Sequence, residues 1–380
     1  MIRNTVALLV VVGLGPCSKA DDAKPTASAS ASASSAPVAS ASATASASAA
    51  PPEKPFDELV KESKPLAITT AEQPFGTAKL TAEVCTVEGG PVVGKSTMSI
   101  YRSVRAIGEK VFVIDADEQV RAFKIEAGAA CKLTVDKTFG TDGVVKLENK
   151  VDRLVADSAG NLWATSGIWG AWKLDKTGKV SQKCSGKPQG TLFVHPSGKW
   201  GIGTFANATV AKVTIDAGTC KNEPWAFQDL GQDDKRKGVL TNAQAVGYVG
   251  DTVFMGGSLD KKVEPNGSIV VLALDKDGKE KARFGKTDKD YSTKDRFGWV
   301  HAVGPCKLGV CVLDSNYRRL TAWKADGKFL GDVSLSSLFG LKYPWIADFD
   351  RNTKHAYFVT GQDREGGKVS EGNIFRVTGL

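Results

Sequence analysis

Histidine is scarce in this chain: three residues in 380, too few and too scattered for a rich metal site. His195 precedes Pro-Ser-Gly at a turn, His301 sits inside an apolar strand pattern and His355 begins one, so each reads as a hydrogen-bonded structural residue. No G-x-S-x-G nucleophile elbow is present. The single apolar run at the start, Thr5 to Leu14, is far shorter than the roughly 20 residues that cross a bilayer as a helix. No helix-turn-helix or RNA-binding signature interrupts the strand pattern, and no nucleic acid is expected as a partner. Charge of one sign is also not concentrated. The balance of 50 basic to 42 acidic residues gives +8, residues 1 to 55 contribute +1 of it, and the lysines of DKDGKEK and DDKRKG lie in turns, which reads as a solvated surface.

What the chain has instead is a repeated unit, clearest in residues 296 to 333. Trp299 to Val303, Leu308 to Leu313, Arg319 to Trp323 and Phe329 to Val333 are short runs rich in β-branched and aromatic residues, separated by GPCK, DSN and ADG turns. Four such strands form one antiparallel blade, which cannot bury both faces alone and so implies neighbours around an axis. The same unit recurs from Tyr101 to Val135, Val151 to Cys184, Thr191 to Phe227 and Ala243 to Phe284, the last with a longer second turn at Gly257 to Gly267. Pro344 to Val377 supplies only three strands, and Ala78 to Thr86 alternates like a single strand with no hairpin partner. Pairing that early strand into the last blade completes it, ties the termini together and removes an open edge. The expectation is an all-β, six-bladed propeller over residues 78–380, preceded by a lead-in segment at 56–77 that is helical over Phe56 to Lys64.

Residues 1–17 read as an export signal. Leu14-Gly15-Pro16-Cys17 resembles the lipobox of bacterial lipoproteins, in which the cysteine becomes the acylated first residue, although Pro16 stands where that family has a small residue. The alternative is ordinary cleavage after Ser18-Lys19-Ala20. From Ala23 to Pro55 the chain is almost wholly Ala, Ser, Thr and Pro, a composition that cannot offset the entropy of ordering itself, so 18–55 reads as a disordered tether. About 35 such residues average roughly 30 Å end to end and reach about 115 Å, which suits a tether. The resemblance implies a lipid-anchored envelope protein, with Ser18 after the cysteine implying the outer membrane, and otherwise a periplasmic or secreted one.

Asp314, Arg319, Leu320 and Trp323 resemble the NHL-repeat pattern, in which an aspartate ends the second strand and Arg, aliphatic and aromatic residues follow at plus five, six and nine. Tyr317 stands where that family has asparagine, and Asp115 to Phe123 is one residue short. Gly160-Asn161-Leu162-Trp163 with Gly178 is similar to blades of bacterial sensor propellers. The resemblance implies a six-bladed propeller and no activity.

Without Cys17, six cysteines remain, and an even number in an exported chain favours disulfides. Cys306 and Cys311 can bond across a hairpin; their spacing also fits half a zinc site, but no second pair accompanies it. Cys85, Cys131, Cys184 and Cys220 fall at fourth strands of consecutive blades, and 85 with 131 and 184 with 220 is one of three possible pairings.

Gly89 to Ser96 matches the phosphate-loop pattern letter for letter, but β-branched residues follow it where a helix is needed, so it reads as a loop between blades. Trp163, Trp299, Trp323 and Trp345 read as packing between blades. Asp117, Trp169, Phe205, Tyr317 and Arg318 fall in turns that cluster on one propeller face, where aromatic and arginine side chains suit a partner. The expected function is a non-enzymatic, envelope-tethered scaffold for a protein, peptide or glycan, needing no cofactor and touching the membrane only through a lipid. The alternative is a metal-dependent hydrolase or lyase in the central funnel, which would require Asp, Glu, Asn or His side chains from different blades to converge near the axis.

Overall fold

The computed structural model describes residues 69–88, 103–115, 118–167, 170–184, 191–204, 210–216, 219–223, 225, 240–259, 268–286, 293–341, 346–360 and 373–380. The stretches read as an export signal with Cys17, a tether and a helical lead-in, the Gly89 to Ser96 motif, Asp117, Trp169, Phe205 and Trp345 lie outside these residues.

The chain opens with β1 (Gln73–Phe75), β2 (Ala78–Val84) and the short β3 (Thr86–Val87). Blade 1 is β4 (Ser103–Ile107), β5 (Lys110–Ile114), β6 (Val120–Ile125) and β7 (Lys132–Val135), with β8 (Val144–Val145) beside β6. Blade 2 is β9 (Arg153–Ala156), β10 (Leu162–Ser166), β11 (Gly170–Leu174) and β12 (Val180–Cys184). Blade 3 is β13 (Thr191–Val194), β14 (Trp200–Thr204), β15 (Val210–Asp216) and β16 (Thr219–Glu223). Blade 4 is β17 (Leu240–Val249), β18 (Thr252–Leu259), β19 (Ile269–Leu274) and β20 (Glu280–Phe284). Blade 5 is β21 (Val300–Cys306), β22 (Gly309–Asp314), β23 (Arg319–Trp323) and β24 (Phe329–Ser334), followed by α1 (Leu335–Phe339). Blade 6 contributes β25 (Ile346–Arg351), β26 (Ala356–Thr360) and β27 (Ile374–Thr378), and its sheet order is β1-β2-β27-β26-β25. This is a six-bladed propeller whose early strand closes the last blade.

Each junction between successive blades has its own apolar cluster. Trp163 with Leu192 and Val194 fills the junction of blades 2 and 3. Phe254, Phe284 and Trp323 fill that of blades 4 and 5. Tyr357, Val359 and Ile374 pack on Val104, Val111 and Phe123 where blade 6 meets blade 1. Burying each large side chain contributes roughly 1.5–3 kcal/mol, so the ring is held by its blade interfaces more than by any single sheet. Ring closure is further tied by Glu83 of β2, which accepts from Arg376 Nε at 2.6 Å and from the Cys131 amide at 3.0 Å.

The six cysteines other than Cys17 are all paired, as an even number in an exported chain suggests, and the structure selects one of the three pairings left open for Cys85, Cys131, Cys184 and Cys220. Cys85–Cys131 joins the end of β2 to the residue before β7 and so bridges blades 6 and 1, with Cα atoms 4.5 Å apart. Cys184–Cys220 bridges blades 2 and 3 at 5.2 Å, and Cys306–Cys311 spans the β21–β22 hairpin at 5.6 Å. Bonded to each other, the last pair is not a set of zinc ligands. Three disulfides belong to an oxidising, exported setting. Among the described residues no helix is long and apolar enough to cross a membrane.

Four expectations need correction. The closing strand β2 does have a hairpin partner, because Gln73-Pro74-Phe75 pairs with it across the Gly76-Thr77 turn. Its proline sits on the sheet edge, where a missing N–H costs nothing. In blade 4 the first strand begins at Leu240, and the second runs through Gly257 to Leu259, so the long second turn starts later than the glycines suggest. Gly256 serves packing instead: a Cβ there would fall 2.4 Å from Val300 Cγ1 of the next blade. The short α1 is unforeseen; it buries Leu335, Leu338 and Phe339 and ends on Gly340 in the left-handed region. The fourth correction concerns Trp299, which lies ahead of β21 rather than between blades.

Candidate functional site

In a four-stranded antiparallel blade, the turn between strands two and three lies at the same end as the connection into strand one. That end of the ring is here called the entry face, and the end carrying the hairpins between strands one and two is the hairpin face. Blade 5 shows how the entry face is built. Asp314 closes β22 with its side chain fully buried, and its Oδ1 accepts from the Trp299 amide at 3.0 Å and the Tyr317 amide at 3.2 Å. Its Oδ2 accepts from the Gly298 amide at 3.0 Å. One carboxylate thus fixes both the incoming connection and the turn at 315–318. Arg319, at the plus-five position, has Nε 3.6 Å from Asp314 Oδ2 while its Nη2 donates to the Arg296 carbonyl. Burial pushes the Asp314 carboxyl above its ordinary pKa, against the three amides and Arg319 that stabilise its charge.

This clamp presents two aromatic rings to solvent. Trp299 and Tyr317 are each 38% exposed, and they flank Gly298, where an added Cβ would fall 3.2 Å from the tyrosine ring. Arg319 stacks over Tyr317 at 5.0 Å, and Arg318 takes a left-handed backbone, φ 49°, that few non-glycine residues adopt. Tyr317 and Arg318 therefore stand on the face where the turn pattern locates them, joined by Trp299. Abutting an apolar run makes Trp299 read as packing, whereas the structure leaves it 38% exposed ahead of β21 with its amide held by Asp314. Trp163 and Trp323 are buried as expected.

The first strands line an axial channel. Asp348 of β25 is its hub: Oδ2 accepts from Ser103 Oγ at 2.5 Å and from Arg105 Nη1 at 2.7 Å, and Oδ1 accepts from the Phe349 amide at 2.9 Å. Asp350 accepts from the Ala106 amide at 2.9 Å, and burial raises its pKa against the pull of Arg105. Arg153 of β9 is placed differently. Its Nη1 stands 3.7 Å from Asp348 Oδ1, beyond hydrogen-bonding distance, and its guanidinium lies over the Phe193 ring at 5.0 Å. Burial lowers its pKa, and neighbouring Arg105 adds to that against the pull of Asp348. His301 lies on the same wall, 6.4 Å from the Trp299 ring, and is pushed down to about 4 by burial and by Arg153, so it is neutral at pH 7. From the middle of the first strands to the hairpin face, the channel encloses about 170 Å3.

Of these channel residues only His301 stands out in the sequence, as a hydrogen-bonded structural residue; Arg105, Arg153, Asp348 and Asp350 do not. A signal existed: SVRAI, VDRLVA and IADFDR place one, two and three charged residues in or beside first strands, and first strands face the axis. Among the described residues, no group of three or more His, Cys, Asp or Glu is disposed to hold a metal. The two channel aspartates come from one blade, and both accept from the main chain.

His195, Ser197 and Asp251 have the composition of a hydrolytic triad at the hairpin face. Ser197 Oγ is 2.9 Å from Nδ1, but the Ser197 amide also points at Nδ1, at 3.1 Å, inside one tight turn. Nε2 faces the Gly250 carbonyl at 3.1 Å, which fixes its proton there, while Asp251 is 3.7 Å away and 79% exposed. The ring stacks on Trp200 and meets Tyr248 edge-on, so His195 is the structural joint expected of it. His355 is likewise hydrogen-bonded, its Nδ1 lying 3.2 Å from Thr378 Oγ1.

No protein-family model matches the chain, and no curated protein matches its sequence. Among solved structures, the crystal structure of a catalytically inactive virginiamycin B lyase from Staphylococcus aureus with quinupristin is similar, with a TM-score of 0.46 and 9% identity, covering 79% of this chain and 100% of that one. No activity is carried across at that level of likeness.

Proposed function

We propose that this chain is an envelope-tethered, non-enzymatic propeller of the NHL-like kind that binds a protein, peptide or glycan on its entry face. The carrying observation is Trp299 and Tyr317: two aromatics, each 38% exposed, whose main-chain amides are pinned by one oxygen of a buried carboxylate. Aromatic side chains with few rotatable bonds give contact area at little entropic cost, and a pinned backbone lowers that cost further. Arg318 extends the same surface, and Asp117, Trp169 and Phe205, which in sequence fall between the second and third strands of blades 1, 2 and 3, are proposed to contribute to it. The Leu14 to Cys17 resemblance and the low-complexity stretch support delivery as a lipoprotein, with Cys17 acylated and 18–55 as the tether.

The test is photo-crosslinking from residue 317 in envelope extracts together with a glycan array, using the mature chain and a Trp299→Ala/Tyr317→Ala variant. The expected result is one dominant partner or glycan class whose affinity falls at least about tenfold in the variant, roughly the loss of a recognition hot spot, with an unchanged melting temperature. Chelator-sensitive turnover of ester or lactone substrates, or binding indifferent to both aromatics, would overturn the proposal.

A further inference from the structure

The axial cavity makes a separate demand. Its wall is largely apolar, from Val155, Phe193, Val246, Val303 and Phe349, yet three guanidinium groups, Arg105, Arg153 and Arg351, line it against two carboxylates, Asp348 and Asp350. His301 adds no charge, being neutral near pH 7. Asp348 is spent on Ser103, Arg105 and the Phe349 amide, and Asp350 on the Ala106 amide. Among the described residues the Arg153 guanidinium donates no hydrogen bond; it has the 3.7 Å ion pair with Asp348, the Phe193 face and the longer-range attraction of Asp152, with its side chain 17% exposed. A guanidinium carries five donors in a planar fork matched to a carboxylate, and the cost of burying it is recovered only when those donors are used.

We infer that the axial channel is a binding site for a small monocarboxylate with a short apolar tail, received by Arg153 and entering from the hairpin face. The size fits, since about 170 Å3 is room for five or six waters at ~30 Å3 each. Charge selects a monoanion: the lining sums to one positive charge, and a phosphate dianion would leave a net negative charge in an apolar wall. The tail would rest on Phe193, Val246 and Val303, while the carboxylate takes the Arg153 fork in place of water. Such a group occurs on free carboxylic acids and on peptide C-termini, and the chemistry is the same for both. The site is distinct from the entry-face aromatics and does not depend on them.

The experiment is isothermal titration of the mature protein with sodium butyrate, butyramide, N-acetyl-dialanine and its C-terminal amide, repeated on Arg153→Leu, Arg153→Lys and Trp299→Ala/Tyr317→Ala. The expected result is saturable binding of a carboxylate but not of the matching amide, weakened about tenfold or more in Arg153→Leu and unchanged in the aromatic variant. Binding of butyrate assigns free acids as the source, and binding of the dipeptide acid alone assigns peptide C-termini. Should Arg153→Leu fail to fold, Arg153→Lys keeps the charge but loses the fork and is expected to weaken binding in the same direction. Equal binding of acid and amide, no saturation by either acid up to ~50 mM, or full affinity in a folded Arg153→Leu protein would overturn the assignment.

Discussion

Buried Asp314 and half-hidden His301 show how single side chains decide what this ring presents. Asp314 satisfies three main-chain amides from two segments, so the aromatics it positions are displayed by a hydrogen-bond network and not by their own packing. His301 works the opposite way, as a group the fold prefers uncharged. Its folded pKa of about 4 lies below the ordinary 6.5, because burial and Arg153 outweigh the attraction of Asp348 and the Ala347 carbonyl. The unfolded chain therefore takes up a proton that the folded one refuses as pH falls from about 6.5 to about 4, and stability is lost across that window, by up to about 3 kcal/mol. Urea unfolding at pH 7 and pH 4.5 should show this loss in the wild type and a smaller one in His301→Asn, which keeps a donor for the Ala347 carbonyl. Equal losses in both proteins would show that His301 contributes nothing to the pH dependence.

At the scale of strands and links, the two cross-blade disulfides act on different loops from the hairpin one. Cys85 and Cys131 are 46 residues apart and Cys306 and Cys311 only five. If chain entropy dominates, breaking the first costs about 4 kcal/mol and the second about 2. Paired serine substitutions, Cys85→Ser/Cys131→Ser and Cys306→Ser/Cys311→Ser, should lower the denaturation midpoint in that order, and the reverse order would mean that local geometry outweighs loop length. The fourth-strand positions of Cys85, Cys131, Cys184 and Cys220 were legible because strand spacing is regular; which pairs form was not, since the sequence left three pairings open. Adjacency of blades decides it: 6 touches 1, and 2 touches 3. The β1 hairpin partner was hidden for a different reason, since a three-residue strand containing proline carries no alternation to detect.

At the scale of the whole molecule, closure is the main fact. β2 pairs with β27 from Thr81↔Thr378 to Val84↔Phe375, so a strand from the start of the domain completes the sheet that ends it. Removing residues 1–88 should leave β27 as an open edge, break the Cys85–Cys131 link and yield aggregated protein, whereas removing residues 1–55 should leave the melting temperature unchanged. Size-exclusion chromatography with thermal circular dichroism separates the two, and a soluble, cooperatively melting 89–380 fragment would show that the ring holds without its clasp.

Local rules in the sequence suffice for the class and count of the blades, the early strand that closes them and the buried places of Trp163 and Trp323. Strand periodicity, turn chemistry and a repeat of blade length are written within each short segment, and those segments agree with one another. The tertiary structure alone decided that Trp299 faces solvent, that Asp348 gathers Ser103 and Arg105 from more than 240 residues away, and that Arg153 faces a cavity with its donors open. Such placements depend on which first strands meet around the axis, a relation among distant segments that no local pattern encodes.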